Sequence, residues 1–167
     1  MNLPLAILAG GLATRLSPLT DKVPKSMLEI NGKPFIYWQL KLLAKSGVTK
    51  VILCTSHKSD LIKNYVKTGE DFGVDVTYSH DGEVQLGTGG AVNKALPKLG
   101  DKFMVLYGDS FLPMDFAAAE KAYLQGGSEN MMTIYNNKQE LDKSNIHFLN
   151  GRLWNMKRIQ KRKILNI

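Results

Sequence analysis

Short apolar runs alternate with amphipathic stretches along this chain, a pattern that predicts βαβ units around a mostly parallel sheet. Leu3–Ala9 is apolar throughout, as a strand buried on both faces must be. Pro34–Ser46 carries Ile36, Leu40, Leu43 and Ala44 at three- and four-residue spacing before Gly47, which predicts a helix. Val51–Thr55 reads as a second strand, and Ser59–Lys67 as a helix capped by Ser59 or Asp60. Val74–Ser79 reads as a third strand, interrupted by Asp75 and Thr77. Gly89–Leu96 reads as a short helix ended by Pro97, and Phe103–Tyr107 as a fourth buried strand. Asp115–Gln125 reads as a helix with Asp115 as its N-cap and Gly126-Gly127 closing it. Met131–Tyr135 and Ile146–Leu149 are expected as the last two strands. Neither an internal repeat nor a low-complexity linker interrupts the series.

Composition agrees with one globular domain. The 167 residues are 44% hydrophobic and 22% charged, too apolar for a disordered chain and long enough to bury a core. A net charge of +7 would suggest a polyanionic partner if it were spread over the surface. It is not. Residues 1–150 carry a net +1, and the six remaining cations lie between Arg152 and Lys163. The chain is therefore expected to divide into a 1–153 core and a 154–167 basic tail. The single cysteine, Cys54, cannot close an intrachain disulfide, and its apolar neighbours Val51, Ile52 and Leu53 make it a small buried hydrophobe. The N-terminal apolar run has no positively charged flank, and no stretch approaches the roughly 20 apolar residues of a membrane span. A cytoplasmic location follows from these features.

The candidate chemistry begins where the first strand ends, at Leu8-Ala9-Gly10-Gly11. In an open α/β sheet, ligands bind beyond the carboxyl ends of the strands. Two residues without Cβ let the backbone approach a ligand and turn N–H groups toward phosphate oxygens. Arg15 adds a planar fork for phosphate, and Pro24 restrains Lys25 as a second cation. The loop is neither a Walker A motif nor a GxGxxG fingerprint.

Taken together, Leu8 through Leu16, Pro18-Leu19-Thr20 and Pro24-Lys25-Ser26-Met27 resemble the signature of the sugar-1-phosphate nucleotidyltransferases, the nucleotide-sugar pyrophosphorylases. Within the family the motifs look like those of bacterial heptose- and hexose-1-phosphate nucleotidyltransferases of surface-polysaccharide synthesis. The resemblance implies a Rossmann-like, mostly parallel sheet flanked by helices, the nucleotide-diphospho-sugar transferase fold. It also implies transfer of a nucleoside monophosphate from an NTP to a sugar 1-phosphate, with pyrophosphate released. Leu8, Ala9, Gly10 and Gly11 would then hold the nucleotide through backbone groups, and Arg15 and Lys25 would neutralise its triphosphate. A second family motif reads Gln85-Leu86-Gly87-Thr88-Gly89-Gly90-Ala91, whose Gly87 and Thr88 would lie against the base. A third reads Leu106-Tyr107-Gly108-Asp109-Ser110, whose Asp109 would bind Mg²⁺. A hard cation suits that role, because it prefers carboxylate and phosphate oxygens.

The resemblance runs from about Leu3 to about Leu153. Beyond it no carboxylate follows Asp142. The family's C-terminal part, with its sugar-phosphate segment and second metal-binding aspartate, is thus expected to be absent or altered. A short enzyme, one completed by another chain in a homo-oligomer, and a relative that binds NTP but turns over poorly are all compatible with that expectation. A further alternative, nucleic-acid or anionic-surface binding by Lys157–Lys163, is weaker, because a basic run is ordinarily a solvated tail. His57, His80 and His147 show no metal-ligand spacing, and Tyr37 and Trp38 are read as packing residues on a helix.

Overall fold

A computed structural model describes residues 1–11, 16–136, 138, 146–149 and 152–156, with the backbone alone for 147–149 and 152–156. Two compact units make up the chain, Met1–Glu129 and Asn130–Ile167. The first is built on a four-stranded parallel sheet of β1 (Leu5–Leu8), β4 (Lys50–Thr55), β5 (Asp75–His80) and β6 (Met104–Tyr107), in the order β5-β4-β1-β6. Between β1 and β4 lies a two-stranded antiparallel ribbon, β2 (Glu29–Ile30) with β3 (Lys33–Pro34).

Period-two alternation sends the two faces of the sheet to different helices. Leu5, Ile7, Val51, Leu53, Val76 and Leu106 pack with Ile36, Leu40 and Leu43 of α1 (Phe35–Lys45) and Ile62 and Val66 of α2 (Ser59–Val66). On the other face, Ala6, Ile52 and Cys54 meet Ala91, Ala95 and Leu99 of α3 (Gly87–Leu99). Small side chains on that face let α3 lie close to the sheet. Phe116, which opens α4 (Phe116–Gly126), joins the first cluster, and buried Glu120 on the same helix accepts the amides of Asn2 and Leu3, both at 2.8 Å. This is the mostly parallel, helix-flanked α/β architecture read from the pattern.

Several elements differ from expectation. Helix α3 begins at Gly87 and runs through Pro97 to Leu99. Pro97 sits in the last turn, where it forfeits one backbone hydrogen bond, while buried Leu99 anchors that turn to the sheet. Strand β6 is not buried on both faces: Val105 and Tyr107 are 46% and 58% exposed, while Leu106 between them is 7% exposed. It is an edge strand, paired only with β1 among the described residues, and α3 covers β1, β4 and β5 instead. Neither Ser59 nor Asp60 caps α2. Lys58 holds the N-cap position with φ 56°, and its Nζ donates to the carbonyls of Thr20 and Asp21. Asp115 does cap α4, accepting the Ala118 amide at 2.9 Å.

Met131–Tyr135 forms no strand. Its apolar side chains suit a sheet, but a strand persists only with a hydrogen-bonded neighbour, and this segment has none among the described residues. In the second unit, β7 (Ile146–Leu149) pairs antiparallel with β8 (Arg152–Met156), with an irregularity at His147/Phe148. The second strand therefore runs on past Leu153, and the expected basic tail lies outside the described residues from Lys157 onward.

Candidate functional site

The strand order decides where a site can form. From β1 the chain moves outward to β4 and β5 on one side, then returns to place β6 on the other. Loops leaving β1 and β6 therefore diverge, and a crevice opens above the carboxyl ends of these strands. A cavity of about 450 Å³ occupies that position. Leu8, Ala9, Gly10 and Gly11 line it from the end of β1, Cys54 from β4, and Tyr107, Gly108 and Asp109 from the end of β6. Gly87, Thr88 and Ala91 enter from the first turns of α3, and Lys25 and Ser26 from a 3-10 turn at Lys25–Met27. Every site residue expected from the sequence that falls among the described residues lines this cavity. Arg15 lies outside the described residues.

Close backbone approach explains one glycine in particular. A Cβ on Gly108 would stand 2.5 Å from the Leu8 carbonyl oxygen and 2.8 Å from Ala9 Cα. Its own amide donates to that Leu8 oxygen at 3.0 Å, stitching the end of β6 to the start of the glycine loop. Ala9 N–H donates to Cys54 O at 2.9 Å on the other side. Gly10 is held differently: its carbonyl accepts from both Ser56 Oγ and Gln85 Nε2. The amides of Gly10 and Gly11 donate to no protein acceptor among the described residues. A loop whose carbonyl is tied down and whose N–H groups are free can receive anionic oxygens. The N-terminus of α3, where Gly87 takes φ 69°, adds further backbone donors and the positive end of a helix dipole.

Charge in the cavity is arranged as a pair. Lys25 Nζ and Asp109 Oδ2, 84 positions apart in sequence, stand 2.7 Å from each other. Their side chains are 41% and 49% exposed, so the pair adds at most about 1 kcal/mol to stability. It is a cheap contact to exchange for a ligand. Lys25 could turn to a phosphate, and Asp109 to a hard cation. One carboxylate is a sufficient protein ligand for Mg²⁺ when phosphates and water complete the shell. Among the described residues no three His, Cys, Asp or Glu side chains form a metal cluster.

Asp81 at the cavity and Ser56 beside its glycine loop escaped the sequence reading, and Gln85 was placed in a motif without a role of its own. Asp81 is buried, accepts the Leu86 amide through Oδ2 at 3.2 Å, and receives Lys94 Nζ on its carbonyl at 2.9 Å, which shapes the loop into α3. Ser56 and Gln85 clamp Gly10. Asp81 and Ser56 directly follow strands β5 and β4, the signal that could have found them. Cys54 lines the cavity yet is 1% exposed. Burial, with a lesser push from the Asp81 charge, raises its thiol from about 9 to about 11. Native protein is therefore expected to resist alkylation at pH 8, where unfolded protein reacts. Because the thiol holds its proton more tightly when folded, its contribution is intact below pH 9 and lost as pH rises through 11. That is about 2–3 kcal/mol, readable as a falling urea midpoint that Cys54→Ala flattens between pH 9 and 10. Tyr78, pushed up to about 12 by burial, extends the loss to higher pH.

Comparison with known proteins gives the geometry its context. Residues 5–145 match the nucleotidyl transferase family. D-glycero-alpha-D-manno-heptose 1-phosphate guanylyltransferase of Campylobacter jejuni is 41% identical over 111 residues, covering 66% of this chain and 49% of the relative. N-acetylmuramate alpha-1-phosphate uridylyltransferase of Neisseria meningitidis is 38% identical, covering 68% and 49%. Among solved structures, HddC from Yersinia pseudotuberculosis complexed with GMP-PN superposes with a TM-score of 0.66 at 35% identity, covering 74% of this chain and 55% of that one. The chain thus spans about half the length of these relatives. With the match running from the first residue of β1 through all four strands of the sheet and the cavity above them, this chain belongs to the nucleotidyl transferase family.

Proposed function

We propose that this chain binds a nucleoside triphosphate with Mg²⁺ in the cavity above β1 and β6, and transfers the nucleoside monophosphate to a sugar 1-phosphate, releasing pyrophosphate. One observation carries the reading: residues 8–11, Gln85, Gly87, Thr88 and 107–109, from segments far apart in sequence, share a single cavity with Lys25. The names of the relatives point to sugar 1-phosphates as acceptors and so to nucleotide-sugar supply, which we extend to polysaccharide synthesis. Two relatives with different bases argue for testing all four NTPs. A lone buried thiol is in keeping with a reducing, cytoplasmic setting, and among the described residues no helix is long and apolar enough to cross a membrane.

The chemistry asks the protein to position and neutralise rather than to form a covalent intermediate. The amides of Gly10 and Gly11 receive phosphate oxygens, and Leu8 and Ala9 bound the nucleotide from beneath. Gly87 and Thr88 offer backbone donors on its far side. Lys25, released from Asp109, takes negative charge on the triphosphate, with Arg15 in the same role. Asp109 would hold Mg²⁺, which supplies charge neutralisation between phosphates. A sugar phosphate oxygen then bonds to the α-phosphorus as the bond to the β-phosphate oxygen breaks. The attacking phosphate is already ionised near neutral pH, so no side chain need act as base.

A panel of four NTPs against glucose, mannose, heptose and N-acetylmuramate 1-phosphates, read by pyrophosphate release, tests this. Turnover with one pair is expected. Nucleotide binding without release would make the chain a nucleotide-binding module, and no binding of any NTP would overturn the reading.

A further inference from the structure

Gln39 is a fully buried amide on α1, set between Ile36, Leu40 and Leu43 of the core. Nothing about its position on the helix distinguishes it from a packing residue. Its contacts do. Gln39 Nε2 donates to Tyr107 O at 3.1 Å and to Ser110 O at 2.8 Å. Both partners are carbonyl oxygens, so the NH₂ end must face them, and the amide has one orientation only. The two carbonyls bracket Gly108-Asp109, and Ser110 N–H also donates to Tyr107 O at 3.1 Å, closing a turn across them. Gln39 Oε1 is buried and has no hydrogen-bond partner among the described residues. An unsatisfied buried amide oxygen costs free energy that a leucine at this position would not. The residue therefore gives up stability while gripping one turn.

We propose that Gln39 is a positioning residue for Asp109. By drawing the carbonyls on either side of Gly108-Asp109 inward toward α1, its amide fixes the turn from which the Asp109 carboxylate reaches the cavity and meets Lys25. Gln39 itself does not line that cavity. It acts across the core, from the helix that follows β3 onto the loop that follows β6. The inference rests on the proposed function, because positioning Asp109 matters only if that carboxylate serves a bound cation.

Gln39→Met removes both donors at similar volume. The four NTPs are first titrated into wild-type protein without metal and then with Mn²⁺, and the tightest binder is carried forward. Absence of any NTP binding to wild-type protein overturns the proposed function, and this inference with it. If wild-type protein binds, Gln39→Met is expected to keep its metal-free nucleotide affinity within about twofold and to lose about tenfold of the gain that Mn²⁺ brings. Exchange of the Ser110 amide should quicken by a similar factor while Ile52 in the sheet stays protected. Equal Mn²⁺ gain in variant and wild type overturns the positioning role alone. So does an equal loss with and without metal, since that is the mark of a residue that only packs. Should Gln39→Met not fold, the wild-type protein still decides: its Gln39 side-chain NH₂ protons must be protected from exchange, and rapid exchange overturns the inference.

Discussion

Asp109→Ala is expected to lower pyrophosphate release by a hundredfold or more while leaving the melting temperature within a few degrees. The two halves of this expectation have separate physical grounds. Asp109 is half-exposed on a turn, and its contact with Lys25 is solvent-screened, so removing it costs at most about 1 kcal/mol. Its chemistry has no substitute at the cavity among the described residues. The other carboxylate there, Asp81, is buried and committed to the Leu86 amide. Loss of the Asp109 carboxylate takes away charge stabilisation of the transferring phosphates, for which two or more orders of magnitude is the usual scale. Asp109→Asn, which keeps the volume and loses the charge, should fall nearly as far. A variant retaining more than a tenth of wild-type turnover would move the metal to another residue.

Gly108→Ala should be the most damaging single methyl in the site. The added Cβ would meet Leu8 O at 2.5 Å, Ala9 Cα at 2.8 Å and Leu8 C at 3.0 Å. All three are backbone atoms of the first strand and its loop, so no side chain can swing aside. Relief requires β6 to move away from β1 and the 3.0 Å bond from Gly108 N to Leu8 O to lengthen. A destabilisation of about 3 kcal/mol is expected, seen as a lower urea midpoint with an unchanged slope, together with weakened nucleotide binding. Gly126→Ala is the matched control. Gly126 lies within α4, with nothing within 4 Å of a Cβ, and there the same methyl should be neutral or stabilising by up to about 1 kcal/mol. Equal midpoints for the two variants would show that the contact between strand ends is not tight.

The elements that could be read directly are those whose composition is dictated by their own surroundings. A central parallel strand must be apolar at successive positions, so β1 and β4 announced themselves, as did the Asp115 cap, which needs only a side-chain oxygen three residues before an amide. The glycine loop and Lys25 could be singled out by residue type alone, and the fold brings both to one cavity. What escaped depends on neighbours distant in sequence. Phe103–Tyr107 looks as apolar as β1, yet one face of β6 is open, because its place at the sheet edge is set by chain crossovers and not by its residues. Met131–Tyr135 has the pattern of a strand and no partner to pair with among the described residues. Pro97 reads as a helix stop, but packing of Leu99 outweighs one lost hydrogen bond.

The same division runs through the site. Residue types able to hold phosphate and a cation are written along the chain, segment by segment. That Lys25 meets Asp109, that Gly108 abuts Leu8, and that Gln39 grips the turn beside Asp109 are facts of the fold. Local sequence specifies the chemistry a residue can perform and the element it prefers. Only the order of strands in the sheet determines which of those residues come within hydrogen-bonding distance, because that order is chosen by burial of the whole core.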